Sequence, residues 1–238
     1  MDSLVLTLTS RSSLLEANYF PAIELPADRN WVLGLIQLLT YNSIPNIVAT
    51  GNKIFFVSGP TVTVPVGSYR LQDIEKFVQK SVPSFKLAAN RNTLHSEIEC
   101  DLAIDFTQPE TIGTVLGFSK RILQANTLHS SDLPVSIIQV TDIRVECNIT
   151  TNAYANDKPV HTIFGFCPDV PPGYRIIQTP NVIYLPVKVK RIETLKLRIV
   201  DQNNELVDFR GEEIVVRLHL KSILINNNCH SDGNRLQL

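Results

Sequence analysis

Apolar and polar positions alternate with a period of two along much of the chain. The clearest case runs from Leu185 to Leu220. Leu195, Leu197 and Ile199 alternate with Lys196 and Arg198; after a polar, acidic connection, Ile214, Val216, Leu218 and Leu220 alternate with Val215, Arg217 and His219. Successive side chains of a strand point to opposite faces, so this spacing predicts two strands. Each has an apolar face for a core and a mostly charged face for water or a neighbour. Together they predict the closing strand pair of the fold, with Phe209 anchoring the connection and Arg210 tying down nearby carboxylates.

The same pattern predicts a strand over 4–9, where Leu4, Leu6 and Leu8 face one way, and an extended edge segment over 18–26, broken by Pro21 and Pro26. Trp31 to Tyr41 is apolar almost throughout; Gly34 and the flanking prolines favour a buried strand over a buried helix. Lys53–Ser58 and Thr61–Val66 predict a hairpin turning at Ser58-Gly59-Pro60. Helical spacing appears in Leu71, Ile74, Phe77 and Val78, with Gly67 and Ser68 at the start and Pro83 past the end. A second short helix is predicted over 107–117, capped by Thr107 and closed by Gly117, with Phe118 packing back on the core.

Two strands flank the turn 90–93. The second places Leu94, Ser96, Ile98 and Cys100 on one face. Residues 119–134 and 150–160 look like polar connections. Val135 to Ile149 is too long for one strand, and its inward phase changes: Ile138 and Val140 are in step, whereas Ile143, Val145, Cys147 and Ile149 take the other parity. A bulge near Thr141-Asp142 would flip the faces in that way. His161–Phe166, Arg175–Gln178 and Val182–Val187 are further strands, and Asp169 to Tyr174 is a turn. About ten strands, few helices and no βαβ alternation predict a mostly β protein: a single jelly-roll-type antiparallel β-sandwich with one or two short helices. Residues 1–224 are read as one domain and 225–238 as a polar, flexible C-terminal tail.

Composition narrows the function. Of 238 residues, 44% are hydrophobic and 19% charged, which argues for a globular chain. A net charge of −1 offers no field for gripping nucleic acid, and there is neither a run long enough for a membrane helix nor a polybasic patch. The N-terminal MDSLVLTLTSRSS lacks the basic region of a signal peptide. Cys100, Cys147, Cys167 and Cys229 are few and far apart, so free buried thiols in a reducing compartment are expected.

Chemistry is sparse. There is no phosphate loop, dinucleotide fingerprint or nucleophile elbow. His95, His129, His161, His219 and His230 are scattered; only Cys229-His230 beside Asp232 brings metal-ligating types together, and adjacent residues point apart on an extended chain. Asp201, Glu205, Asp208, Glu212 and Glu213 with Arg210 lack the ligand spacing of a calcium loop and are read as turn-forming and salt-bridging. Asn148-Ile149-Thr150 fits a glycosylation acceptor by chance. The expectation is no catalytic, cofactor or metal site. Lys196, Arg198, Arg217 and His219 are candidate subunit contacts, as are the loop 150–160, Val170 to Tyr174 and the termini.

Several segments taken together, among them VPVGSYRLQDIEKF, IDFTQPETIGTVLGF, IRVECNITTNAYANDKPVHTIF, FCPDVPPGYRIIQTPNVIYLPV and LRIVDQNNELVDFRGEEIVVRLHL, resemble proteins of Polinton (Maverick) elements and the related adintoviruses. The resemblance covers nearly the whole chain. It implies a capsid protein, and the length, too short for two jelly rolls, implies the penton-like minor component at the vertices of an icosahedral double-stranded DNA virus or virus-like element. It further implies a homo-oligomer, a cyclic pentamer; a major capsid protein of the same element as partner; residence in the virion after synthesis in the host cytoplasm and assembly there or in the nucleus; and no enzymatic activity. Three alternatives stay open. One is a receptor- or carbohydrate-binding module using exposed aromatics (Tyr154, Phe164, Phe166, Tyr174), one a capsid-derived protein domesticated by a host genome, and one an enzyme with a buried cluster of carboxylates and histidines.

Overall fold

The computed structural model describes residues 3–137, 139–155 and 157–223. The chain opens with three long strands, β1 (Ser3–Ser10), β2 (Leu14–Glu24) and β3 (Asn30–Tyr41). Residues 42–142 then make an excursion with β4 (Lys53–Phe55), β5 (Thr61–Thr63), α1 (Leu71–Gln79), β6 (Lys86–Ala89), β7 (His95–Glu99), β8 (Ile104–Asp105), β9 (Ile122–Leu123) and β10 (His129–Pro134). It returns through β11 (Ile143–Cys147), β12 (Ala153–Ala155), β13 (Lys158–Val160), β14 (Thr162–Phe166), β15 (Arg175–Gln178), β16 (Leu185–Pro186), β17 (Arg191–Val200) and β18 (Ile214–Ile223).

Two antiparallel sheets face each other, one in the order β1-β18-β3-β15 with β16 also on β3, the other β14-β11-β17-β2. Numbered one to eight along the chain, leaving out the minor β12, β13 and β16, these strands run 1-8-3-6 and 5-4-7-2. That is the jelly-roll connectivity, in which all chain neighbours except the fourth and fifth strands cross between the sheets, and each crossing connection closes an end of the sandwich. The expected fold class is therefore the observed one. The core between the sheets takes Leu6 and Leu8 from β1, Leu33, Leu35 and Leu38 from β3, Ile143, Val145 and Cys147 from β11, Leu195, Leu197 and Ile199 from β17, and Ile214, Val216, Leu218 and Leu220 from β18.

Several sequence expectations need correction. The alternation in β17 and β18 is as read, but the two do not pair: they lie in opposite sheets, and 201–213 crosses between them. The change of inward phase near Thr141 does not come from a bulge within one strand: Val140 packs against the sandwich core from an irregular segment. Residues 135–142 form no strand, and β11 begins at Ile143. Ile138 lies outside the described residues. The stretch 119–134 contains β9 and β10, the loop 150–160 folds back as the β12–β13 hairpin, and of 182–187 only Leu185 and Pro186 pair with β3. Strands number eighteen among the described residues, because many span only two to four residues.

The excursion has its own apolar cluster, with Phe56, Ile74, Val78, Phe85, Phe106, Ile112 and Phe118 among its members. Helix α1 starts after Arg70 rather than at Gly67, with the Asp73 carboxylate accepting from the Arg70 N–H at 3.1 Å. The second predicted helix is only a 3₁₀ turn, Ile112–Thr114, capped by Thr111. Thr107 is occupied elsewhere: its hydroxyl and N–H, with the Gln108 amide, donate to Asp105 and hold that carboxyl below its ordinary range. Phe118 does pack back, against Phe106 at 5.3 Å between rings.

Candidate interaction surfaces

Strand register fixes the two ends of the sandwich. Ser10 faces Ile214, Val215 faces Leu39, Tyr41 faces Arg175, and Ile143 faces Phe166. The connections 11–13, 167–174 and 201–213 and both stems of the excursion therefore share one end. The connections 25–29, 148–161 and 179–190 share the other.

At the excursion end, side chains tie the stems to the crossing loops. Asn42 Nδ2 donates to the Val170 carbonyl at 2.6 Å, and the Asn42 carbonyl accepts from Gly173 at 2.7 Å. Ser43 donates to the Phe209 carbonyl at 2.5 Å; Phe209 is buried in the sandwich core and anchors its connection as expected. Gln202 bridges to the returning stem, accepting from the Thr141 N–H at 3.2 Å and donating to the Gln139 carbonyl at 2.9 Å. Part of the stretch 170–174 is thus already engaged within the chain. A cleft of about 700 Å³ beside this junction is lined by Tyr69, Leu71, Leu87 and Pro172, with Arg70 and Arg91 among its polar groups.

The candidate chemical residues are not brought together. His95 Nδ1 donates to the Ser131 carbonyl at 2.6 Å, His129 Nε2 to Gln124 at 3.0 Å and His161 Nδ1 to Thr150 at 2.9 Å. His219 Nδ1 shares a 2.7 Å hydrogen bond with the Tyr184 hydroxyl, over whose ring Lys221 Nζ sits at 3.8 Å. This contact exists because β3 carries Gly34: a Cβ there would meet Val182 Cγ1 at 2.3 Å, so only glycine lets 182–184 cross the sheet. The Cys229-His230-Asp232 cluster and the tail from 225 lie outside the described residues. Among the described residues no group of three His, Cys, Asp or Glu could hold a metal ion, and no helix is long and apolar enough to cross a membrane.

The acidic connection 201–213 forms turns. Asp201 accepts from the N–H groups of Asn203 at 2.8 Å and Glu205 at 2.9 Å, and Asp208 from that of Arg210 at 2.7 Å. Arg210 acts through its backbone here, at φ 55°, rather than by tying down carboxylates. The charged faces are paired inside their own sheets: Lys196 with Glu16 at 3.1 Å, Arg198 with Glu146 at 2.9 Å, and Arg217 with the directly opposite Gln37. Such cross-strand pairs hold register, which makes these three residues poor candidates for free subunit contacts, and the His219 ring is taken up by Tyr184. Asn148 is engaged too, bonded to Thr194 and Lys196 across to β17, while Thr150 is buried. The glycosylation triplet is therefore spent on structure. Of the aromatics, Phe164 and Phe166 stack at 5.6 Å, and the exposed Tyr154 and Tyr174 sit at opposite ends of the sandwich. That separation does not build an aromatic sugar platform.

Cys100 and Cys147 are buried free thiols, but Cys167 is exposed, contrary to expectation. Burial pushes the Cys147 thiol up to about 11. The unfolded thiol ionises near pH 8.5, so the stability gained by burying the neutral form is complete below that pH and is lost as pH rises through about 11. Urea unfolding of wild type should therefore weaken between pH 8.5 and 11 by more than that of Cys147→Ala. Parallel curves for the two proteins would refute this.

The strand order and the two closed ends define the class of the molecule as a jelly-roll β-sandwich enlarged by the excursion after its third strand. No family model matches the sequence, and no curated protein matches it. The chain is similar in structure to the mavirus penton protein, whose crystal structure covers 94% of this chain and 100% of its own length, at 12% identity and a TM-score of 0.50. At that identity the likeness is one of fold. Its breadth means that it takes in most of the excursion as well as the sandwich.

Proposed function

We propose that this chain is a penton-like minor capsid protein, building the vertices of an icosahedral double-stranded DNA virus or virus-like element. The observation that carries this reading is the jelly-roll strand order with a large excursion after the third strand, alike over 94% of the chain to a penton protein. The described histidines, with Asp201 and Asp208, are engaged in hydrogen bonds and turns, which agrees with a structural role. Residues 1–224 act as one domain, the excursion being a loop of the sandwich that has grown its own core. The partners are four further copies in a ring and a major capsid protein of the same element, and the place of residence is the virion.

Sedimentation velocity and imaging of the purified chain test the reading. A closed ring of five is the expected result. A monomer that persists at high concentration, or a closed trimer, overturns it.

A further inference from the structure

Two sides of the sandwich lie open, and they differ. One side carries β1 and β2, which are edge strands of their sheets and neighbours across the sandwich. β1 runs for eight residues, SLVLTLTS, without a charge, a proline or a break in register against β18. Natural proteins blunt such edges because a row of unpaired N–H and C=O groups invites another strand. The other edges here are blunted: β2 slips in register and holds Pro21, β14 slips against β11, and β15 has four residues with Pro180 soon after. Among the described residues β1 pairs with β18 alone. Beside it, residues 19–22 of β2 bulge out opposite the single residue Glu193, and at their tip Phe20 is 103% exposed.

The opposite side carries β14 and β15. Ile177 and Ile183 are exposed there, and a cleft of about 420 Å³ is lined by Tyr154, Val160, Phe164, Ile183 and Leu185. The only charged residue lining it is Arg144, whose Nε lies 3.6 Å from Asp142. Around Phe20 the balance is acidic, Glu24 and Glu193 sharing one Arg191 at 3.4 and 3.1 Å.

The geometry points to a head-to-tail interface between copies of this chain: the β1–β2 side of one copy meets the β14–β15 side of the next. Phe20 enters the cleft beside Ile183, and β1 adds to the sheet next to β15. This rests on the assembly reading above and names its surfaces. Two features support a second copy as the occupant. β1 runs toward the excursion end and β15 away from it, so copies related by rotation about an axis along the strands bring these two edges together antiparallel. Thr9, Val215, Leu39 and Ile177 lie in one row across the sheet, so β1 and β15 offer free backbone at the same height, which such a rotation preserves. Two unlike, complementary sides make a heterologous contact, the kind that closes into a ring.

Phe20→Glu spoils one side and Ile183→Glu the other. Both residues are exposed, so both variants should keep the wild-type circular dichroism; Phe20→Ser and Val5→Lys serve as second variants of the first side. Sedimentation velocity should show each variant alone as a monomer. Their equimolar mixture should give a species of two chains and nothing larger, because one intact side remains on each. Wild-type assembly that survives in every variant would overturn these surfaces and leave the assembly reading standing. A dimer of Ile183→Glu alone would overturn them in favour of symmetric β1–β1 pairing. A monomeric wild type would remove the assembly reading and this one with it.

Discussion

Gly117→Val should destabilise the excursion by about 3 kcal/mol or more. Gly117 has φ +82°, a conformation costly for a β-branched residue, and a Cβ there would sit 2.2 Å from the Leu133 carbonyl oxygen. The segment cannot step aside, since the Gly117 carbonyl accepts from both the Asp132 and Leu133 N–H groups at 3.0 Å. The single tryptophan, Trp31, belongs to the sandwich core, so its fluorescence reports on the sandwich, whereas circular dichroism reports on the whole chain. In urea the variant should lose circular dichroism at a lower concentration than it loses the Trp31 signal. Two coincident transitions at the wild-type midpoint would contradict this.

Phe209→Ala should cost about 3–5 kcal/mol, from lost burial plus the cavity left behind. Its ring is buried between the sheets, and its carbonyl accepts from Ser43 at the root of the excursion. Here the Trp31 transition should move to lower urea, because the damage falls in the sandwich. A midpoint within experimental error of wild type would show that the connection 201–213 does not rely on this anchor.

The sandwich was largely legible in the sequence because its long strands alternate. Leu195, Leu197 and Ile199 face the core as their spacing predicts, and so do Ile214, Val216, Leu218 and Leu220. Alternation tells which face is buried, not which strand lies alongside, so β17 and β18 looked like partners although they sit in opposite sheets. In the excursion most strands are too short to show a period. β10, His129–Pro134, has one buried residue, Ser131, and is held to β7 by backbone pairing that no apolar pattern announces. The change of phase at Thr141 was visible, but a bulge inside one long strand and an irregular segment leading into a shorter one leave the same trace. At the surface, Lys196, Arg198 and Arg217 were legible as outward-facing, whereas their partners Glu16, Glu146 and Gln37 come from distant segments. Phe20 carried no signal, because an aromatic before a proline in an edge strand looks the same whether its ring is covered or bare.

The position of β18 has a consequence for synthesis. It lies between β1 and β3, so the first sheet has a gap until the ribosome has delivered residue 223, long after both neighbours have emerged. The excursion's own apolar cluster lies within residues 42–142 and can form while the gap is open. Nascent chains stalled before Ile214 would expose the inner edges of β1 and β3 together, and the last strand to arrive closes the sheet.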